Sequence, residues 1–318
     1  MRVSVWVGLV LCVLVGMVQS VAVAQTPLAQ PDLDLWSGGI VYTMVGTADG
    51  GRIIGGEFTA VGGLPRRNLA RLLADGSVDP AWSADVNGPV QHLAVDADGR
   101  IYVAGSFSQL GGIPVSRLGR LSAGGQPDVA WVPAPSGGAF GAAISALLVA
   151  GPHLYVGGDF SQIGGQSRAG LARFNTVTGA LDLSWSPPPW WGGVTQLAAD
   201  TTHLYVATAA ANGFSLIRYP LAGPANQDAG WIPNVNSGVD AIVLDGAGSL
   251  YVAGGFTVVQ GTSHTGLARL STAGGAAVDS QWAPTVLGWV GSLRLSGAHV
   301  YLAGRFRTSP GQAWSYLS

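Results

Sequence analysis

The 318-residue chain holds 49 glycines and only 10% charged residues, with a formal net charge of −2. That composition suits many short buried strands joined by tight turns rather than helices. Every basic residue is arginine, which excludes Schiff-base and P-loop lysine chemistry. The near-neutral balance gives no electrostatic reason to expect nucleic acid or an anionic membrane as partner.

In chain order, Arg2 precedes an apolar run over residues 3–18, and Ala22-Val23-Ala24 supplies the small residues a signal peptidase reads. Residues 1–24 are therefore expected to be a secretory signal cleaved before Gln25. The run is short for a membrane span. The chain is thus expected to be secreted, periplasmic or in the cell envelope, with no transmembrane segment once the signal is removed. The single cysteine, Cys12, lies inside this signal, so the mature chain would have neither disulfide nor thiol chemistry.

From there the chain repeats itself. YVAGSF at 102–107 recurs as YVGGDF at 155–160, YVAGGF at 251–256 and YLAGRF at 301–306, with a degenerate copy, LYVATAAANGF, at 204–214. A second marker runs independently: Trp36, Trp82, Trp131, Trp185, Trp231 and Trp282 recur, commonly within DVAWVP, DLSWSP, DAGWIP or DSQWAP. Self-similarity at this period marks an array or a propeller. The units are 39–88, 89–142, 143–192, 193–237, 238–288, and 289–318 together with 31–38.

Within the second unit VQHLAV leads through the turn DADG into RIYVAGSF, then a GG loop, SRLGRLS, a glycine turn and DVAW. This is the pattern of a four-stranded antiparallel meander. No stretch has a helical period, so parallel βαβ folds are excluded. Sheets of this kind must stack until a ring or solenoid covers their apolar faces. WSYLS at 314–318 matches a third strand, and PDLDLWSGG at 31–39 resembles the fourth strand that the sixth unit lacks. The expected fold is an all-β, six-bladed propeller with four-stranded antiparallel blades, the last closed by the N-terminal strand.

The stretch IYVAGSFSQLGGIPVSRLGRLSAGGQPDVAW, 101–131, resembles the delta-60 repeats of bacterial secreted proteins, a β-propeller family similar also to the propeller of fungal cortical cell-polarity markers. The resemblance spans 31–318; the fourth unit lacks the GG loop and the sixth carries SPG at 309–311. It implies a propeller and export, and it brings no catalytic residues.

Arg71, Arg120, Arg173, Arg218 and Arg269 occupy one repeat position, and Asp79, Asp128, Asp182, Asp228 and Asp279 another. Residues needed once per repeat serve the repeat, by turn capping or ion pairing, and like the six repeat tryptophans these are read as structural. His153, His203 and His299 each precede a second strand in different units, too far apart to share a metal, and DADG at 96–99 lacks the further ligands of a calcium loop. No metal and no cofactor are expected.

Two features vary inside this constant frame. Tyr42, Gln91, Ser145, Thr195, Asp240 and Gly291 form one column in the first strand, which would line the channel mouth and could bind a small ligand. SPPPWWGG at 186–193 adds Trp190 and Trp191 on a proline-stiffened loop, and Trp289 stands at a similar connection before the sixth unit. Such rings suit stacking on sugars or anchoring a protein. The candidate binding residues are therefore Trp190, Trp191, Trp289, Tyr42, Gln91 and Asp240. The chain contains no catalytic serine, zincin, Walker or dinucleotide motif in a suitable context. The expected function is an exported, non-enzymatic module binding a protein or carbohydrate partner. The alternatives are an enzyme acting on polysaccharide or peptide through carboxylates such as Asp240, and a structural module of the envelope.

Overall fold

The computed structural model describes residues 39–139, 141–188, 193–209, 216–297 and 299–308, and the backbone of 315–317. Trp36 and the expected closing strand at 31–38 lie outside these residues, as do Trp190 and Trp191. The chain divides into two compact units, Met1–Val132 and Pro133–Ser318.

Every regular element is a strand, and six three-stranded antiparallel sheets account for the six repeats among the described residues. In the first unit they comprise Ile40–Gly46, Arg52–Glu57 and Leu69–Leu72, then Val90–Val95, Ile101–Gly105 and Leu118–Leu121. In the second they comprise Ile144–Ala150, His153–Gly158 and Leu171–Asn175; Val194–Ala199, His203–Thr208 and Leu216–Pro220; Val239–Leu244, Ser249–Gly254 and Leu267–Ser271; and Leu287–Ser296, His299–Arg307 and Ser315–Leu317. In each sheet the YVAGSF-type strand is the central one, paired on both sides, and its residues are largely buried.

The expected fourth strand is reduced to a single bridge. Val78, Pro127, Leu181 and Val278 each pair once with the third strand of their repeat. The chain then turns, because the aspartate that follows caps it: Asp182 Oδ1 accepts from the backbone N–H of Ser184 and Trp185, as Asp79 Oδ1 does from Ala81 and Trp82. A side chain that satisfies local amides competes with the ladder, so the strand stops. The GG loop, conversely, gains structure. Ala60–Val61 and Leu64–Pro65 form a two-residue ribbon across Gly62 (φ 56°) and Gly63 (φ 77°), two successive left-handed positions that favour glycine.

The repeat tryptophan then packs on its neighbours. Trp185 is fully buried, its ring 5.3 Å edge-on from Tyr155 of its own repeat and 6.0 Å from Tyr219 of the next. Trp82 clusters with Ile101 and Val103 and donates its indole N–H to the Ala123 carbonyl at 3.0 Å. Trp231 clusters with Leu250 and Val252 and donates to Ser271, and Trp282 packs with Leu293 and Leu302.

The repeating arginine and aspartate brace that ring. Arg173 pairs with Asp182 at 2.6 Å, lies 5.1 Å over the Trp185 ring and donates to the Leu221 carbonyl of the next repeat at 2.8 Å. Arg120 and Arg218 repeat the ion pair and the ring contact on Asp128 with Trp131 and on Asp228 with Trp231. Arg269 pairs with Asp279, and Arg71 is shared between Asp79 and Asp49. Burial alone would raise the Asp182 carboxyl, but the Ser184 hydroxyl and the Arg173 guanidinium hold it down to about 2.

Burying one tryptophan removes about 200 Å² from water, worth roughly 5 kcal/mol at most. Trp185→Ala is expected to cost roughly 3–5 kcal/mol, measured by denaturant unfolding. Leu183→Ala, at a side chain 64% exposed on the same segment, is expected to stay within about 0.5 kcal/mol of the parent.

Candidate functional site

The six first strands share one irregularity. Their pairing with the second strand slips between Val41 and Thr43, Val90 and His92, Ile144 and Ala146, Val194 and Gln196, Val239 and Ala241, and Val290 and Ser292. The residues skipped are Tyr42, Gln91, Ser145, Thr195, Asp240 and Gly291. The column that varies between repeats is thus the bulged column. A bulge leaves its extra residue outside the ladder and re-aims the side chain.

In five of the six repeats a glycine stands across the sheet where the bulge begins. A Cβ added to Gly56 would stand 2.0 Å from the Ile40 carbonyl oxygen, and one on Gly105 or Gly158 2.1 Å from the oxygen of Pro89 or Ala143. On Gly254 it would meet the Gly238 oxygen at 2.2 Å, and on Gly304 the Trp289 oxygen at 2.3 Å. Only glycine lets the first strand approach this closely as it enters the sheet. This glycine is the fourth letter of YVAGSF. The fourth repeat departs from the pattern, with buried Thr208 opposite Val194.

In the unit Pro133–Ser318 the first strands of the third to sixth repeats lie side by side in chain order. The Ser145 hydroxyl donates to the Val194 carbonyl, and the Thr195 hydroxyl to the Val239 carbonyl at 2.6 Å. Beside them the Gln196 side-chain oxygen accepts from the Ile242 amide at 2.6 Å. Each bulged hydroxyl therefore reaches the carbonyl just before the next bulge. Asp240 continues the series but, once ionised, has no hydrogen to give. No hydrogen bond to its carboxylate is present among the described residues, and partial burial raises its pKa above the ordinary carboxylate value.

Gly291 has no side chain at the sixth bulge, and Trp289 covers the gap. A Cβ on Gly291 would meet the Trp289 six-membered ring at 2.3 Å, and that indole is 58% exposed. Trp289 was expected in a connection, but it lies within the strand Leu287–Ser296, paired with Arg305. The longer second strand of this repeat, His299–Arg307, extends the ladder back to it.

In the unit Met1–Val132 the bulged residues are Tyr42 and Gln91. The half-exposed Tyr42 hydroxyl donates to Glu57 Oε2 at 3.2 Å, and its pKa is raised by burial and by that carboxylate. Gln91 is exposed. At this end of the strands a cavity of about 500 Å³ is lined by Ile40, Glu57, Thr59, Arg67 and Asn87.

The other candidates serve turns. Asp96 accepts from the Asp98 and Arg100 amides and from the Tyr102 hydroxyl, which makes DADG a braced hairpin. His153, His203 and His299 each open a second strand beside the tyrosine two residues on. No three metal-ligating side chains gather among the described residues. A wider cavity of about 1060 Å³ opens at the opposite end of the first strands in the second unit, between Leu148, Ala150, His153, Asp200, Thr202 and Leu244. Burial and then the Arg173 charge lower the pKa of His153 there.

Four segments of the chain, 47–81, 97–130, 153–184 and 248–275, match the family described as "Domain of unknown function (DUF5122) beta-propeller". These segments are similar to that family's β-propeller repeat. Each begins shortly before or within the second strand of its sheet and carries the glycine ribbon, so the match and the geometry mark the same unit. Among solved structures, the computationally designed Ika8 protein is similar at 11% identity over 88% of this chain and 74% of its own, with a TM-score of 0.52, a likeness of fold alone. The extracellular domain of the putative hybrid two component system BT4673 from B. thetaiotaomicron aligns at 12% identity over 88% of this chain and 33% of its own, with a TM-score of 0.49. No curated protein matches the sequence. No helix among the described residues is long and apolar enough to cross a membrane.

Sequence reading found the column but not the bulge. The signal was present in the repeated glycine of the second strand, whose meaning depends on a carbonyl in another strand. Thr195→Val is expected to cost about 1–3 kcal/mol by leaving the Val239 carbonyl without its donor, measured by denaturant unfolding.

Proposed function

We propose that the chain is an exported, non-enzymatic six-bladed propeller that binds a protein or carbohydrate partner at the mouth where its bulged strands begin. The observation that carries this reading is the coincidence of bulge and variability. Each repeat leaves one side chain out of the ladder at the same place, and there the repeats differ freely in chemistry, from tyrosine and glutamine to serine, threonine, aspartate and glycine. Trp190 and Trp191, which precede the fourth repeat in the sequence, are part of this proposed binding surface. Trp289 adds an exposed indole two residues before its own bulge. Kinship with the delta-60 repeats and the fungal cell-polarity propeller is part of the proposal.

Closure follows the tryptophan rule. Trp82, Trp185, Trp231 and Trp282 each pack on the repeat after their own. By that rule Trp36 covers the first repeat, and 31–38 supplies the outer segment of the sixth. Deleting residues 25–38 is expected to expose the first repeat and drive aggregation, read by light scattering and thermal melting; a soluble product with an unchanged melting temperature overturns closure.

For binding, the intact chain is screened on a glycan array and against extracellular proteins. Alanine at Trp190, Trp191 and Trp289 together is expected to weaken any captured ligand at least about tenfold, with the melting temperature kept. Undiminished binding sinks the site. Turnover of a polysaccharide or peptide that Asp240→Asn abolishes would favour the enzyme reading instead.

A further inference from the structure

The bulged residues of the second unit form an ordered series, and its third member is chemically out of place. Ser145 and Thr195 each give a proton to the backbone carbonyl just before the next bulge, those of Val194 and Val239. By the same rule, the carbonyl just before the next bulge, that of Val290, is the position an Asp240 donor would reach. A carboxylate facing a carbonyl presents two acceptors and no donor, an arrangement that asks for a hydrogen-bearing cation between them. The next bulge carries no side chain at Gly291, and the indole of Trp289 lies over its Cα, more than half exposed. The strand holding Asp240 and the strand holding Trp289 are neighbours. A carboxylate, a backbone carbonyl and an exposed indole are thus placed at the bulged end of two neighbouring strands.

We propose that Asp240, the Val290 carbonyl and Trp289 form a site for an organic cation with N–H donors, an alkylammonium or guanidinium group. Asp240 supplies the charge, the Val290 carbonyl takes a second N–H, and the indole face takes the cation from above. Cation–π attraction strengthens as the cation is desolvated, and a planar guanidinium can stack on the ring while its fork spans two acceptors. A neutral sugar could use the indole but would leave the carboxylate charge unmatched. Three arginines lie on the two paired strands of the sixth repeat: Arg294 donates to the Leu293 carbonyl, and Arg305, opposite Trp289, and Arg307 are each engaged in interactions of their own. This inference rests on the binding reading above and names the chemistry of part of that mouth.

The test uses agmatine as the cation, with butylurea as its uncharged counterpart and methyl β-glucoside as a sugar, each titrated into the intact chain by calorimetry and ligand-observed NMR. Agmatine is expected to bind and butylurea to bind at least about tenfold more weakly. Asp240→Thr copies Thr195, so it is expected to fold at least as stably as the parent, by restoring a donor to the next carbonyl, while losing agmatine binding about tenfold or more. Trp289→Ala is expected to weaken agmatine by a similar factor with the fold kept. Agmatine affinity unchanged in Asp240→Thr, or butylurea binding as well as agmatine, overturns the cation site. Binding that appears only in Arg305→Gln assigns the position to Arg305 and overturns it too. A sugar that binds, is lost in Trp289→Ala and is kept in Asp240→Thr overturns the cation while leaving the wider binding reading standing.

Discussion

The fold depends on one contact made over and over: a tryptophan at the end of one repeat buried against the sheet of the next. A single sheet of three short strands has two apolar faces and little else to hold it. The tryptophan supplies a large buried area at the point where neighbours meet, and the polar groups around it hold the ring in place. Aspartate stops the outer segment and turns the ring inward. Arginine then clamps that aspartate, lies over the indole and, as Arg173 does to Leu221, reaches a carbonyl of the next repeat. A charge pair held mostly by fixed hydrogen bonds and an aromatic face is worth more than a solvated surface pair. Each arginine of the regular column pairs with the aspartate of its own repeat.

With packing delegated to that contact, the other end of each repeat is free to differ. The first strand bulges in every repeat, in five of them against a second-strand glycine that admits the incoming carbonyl, and one side chain leaves the ladder. Where that side chain is serine or threonine it stitches one repeat to the next. Where it is aspartate the stitch fails for want of a proton, and where it is glycine a tryptophan from two residues earlier fills the space. The same backbone device therefore yields a structural hydrogen bond in two repeats, a carboxylate without one in the next, and a glycine covered by an indole in the last. The difference lies in side-chain chemistry alone, because all six registers slip at the same place.

Much of this was legible in the letters. The repeated tryptophan and YVAGSF hexapeptide fix the number and length of the sheets, since alternation and turn residues act within a few positions along the chain. The pairing of arginine with aspartate could be anticipated from their common period. The shortening of the fourth strand could not, because aspartate at that position competes for amides that a strand would otherwise share, and the outcome depends on which neighbour is nearer. Trp289 was placed in a connection for a related reason: only the pairing of Leu287–Ser296 with His299–Arg307 shows how far the sixth ladder extends.

The sequence by itself determined an all-β chain of propeller repeats and the column of residues in which those repeats differ, because local periodicity and hydrophobic spacing are written in consecutive positions. Only the tertiary structure decided that this column is bulged, that its hydroxyls reach the next repeat, and that Trp289 lies over Gly291. Those facts turn on the register between paired strands and on contacts between side chains and backbone of adjoining repeats, which periodicity along the chain does not show.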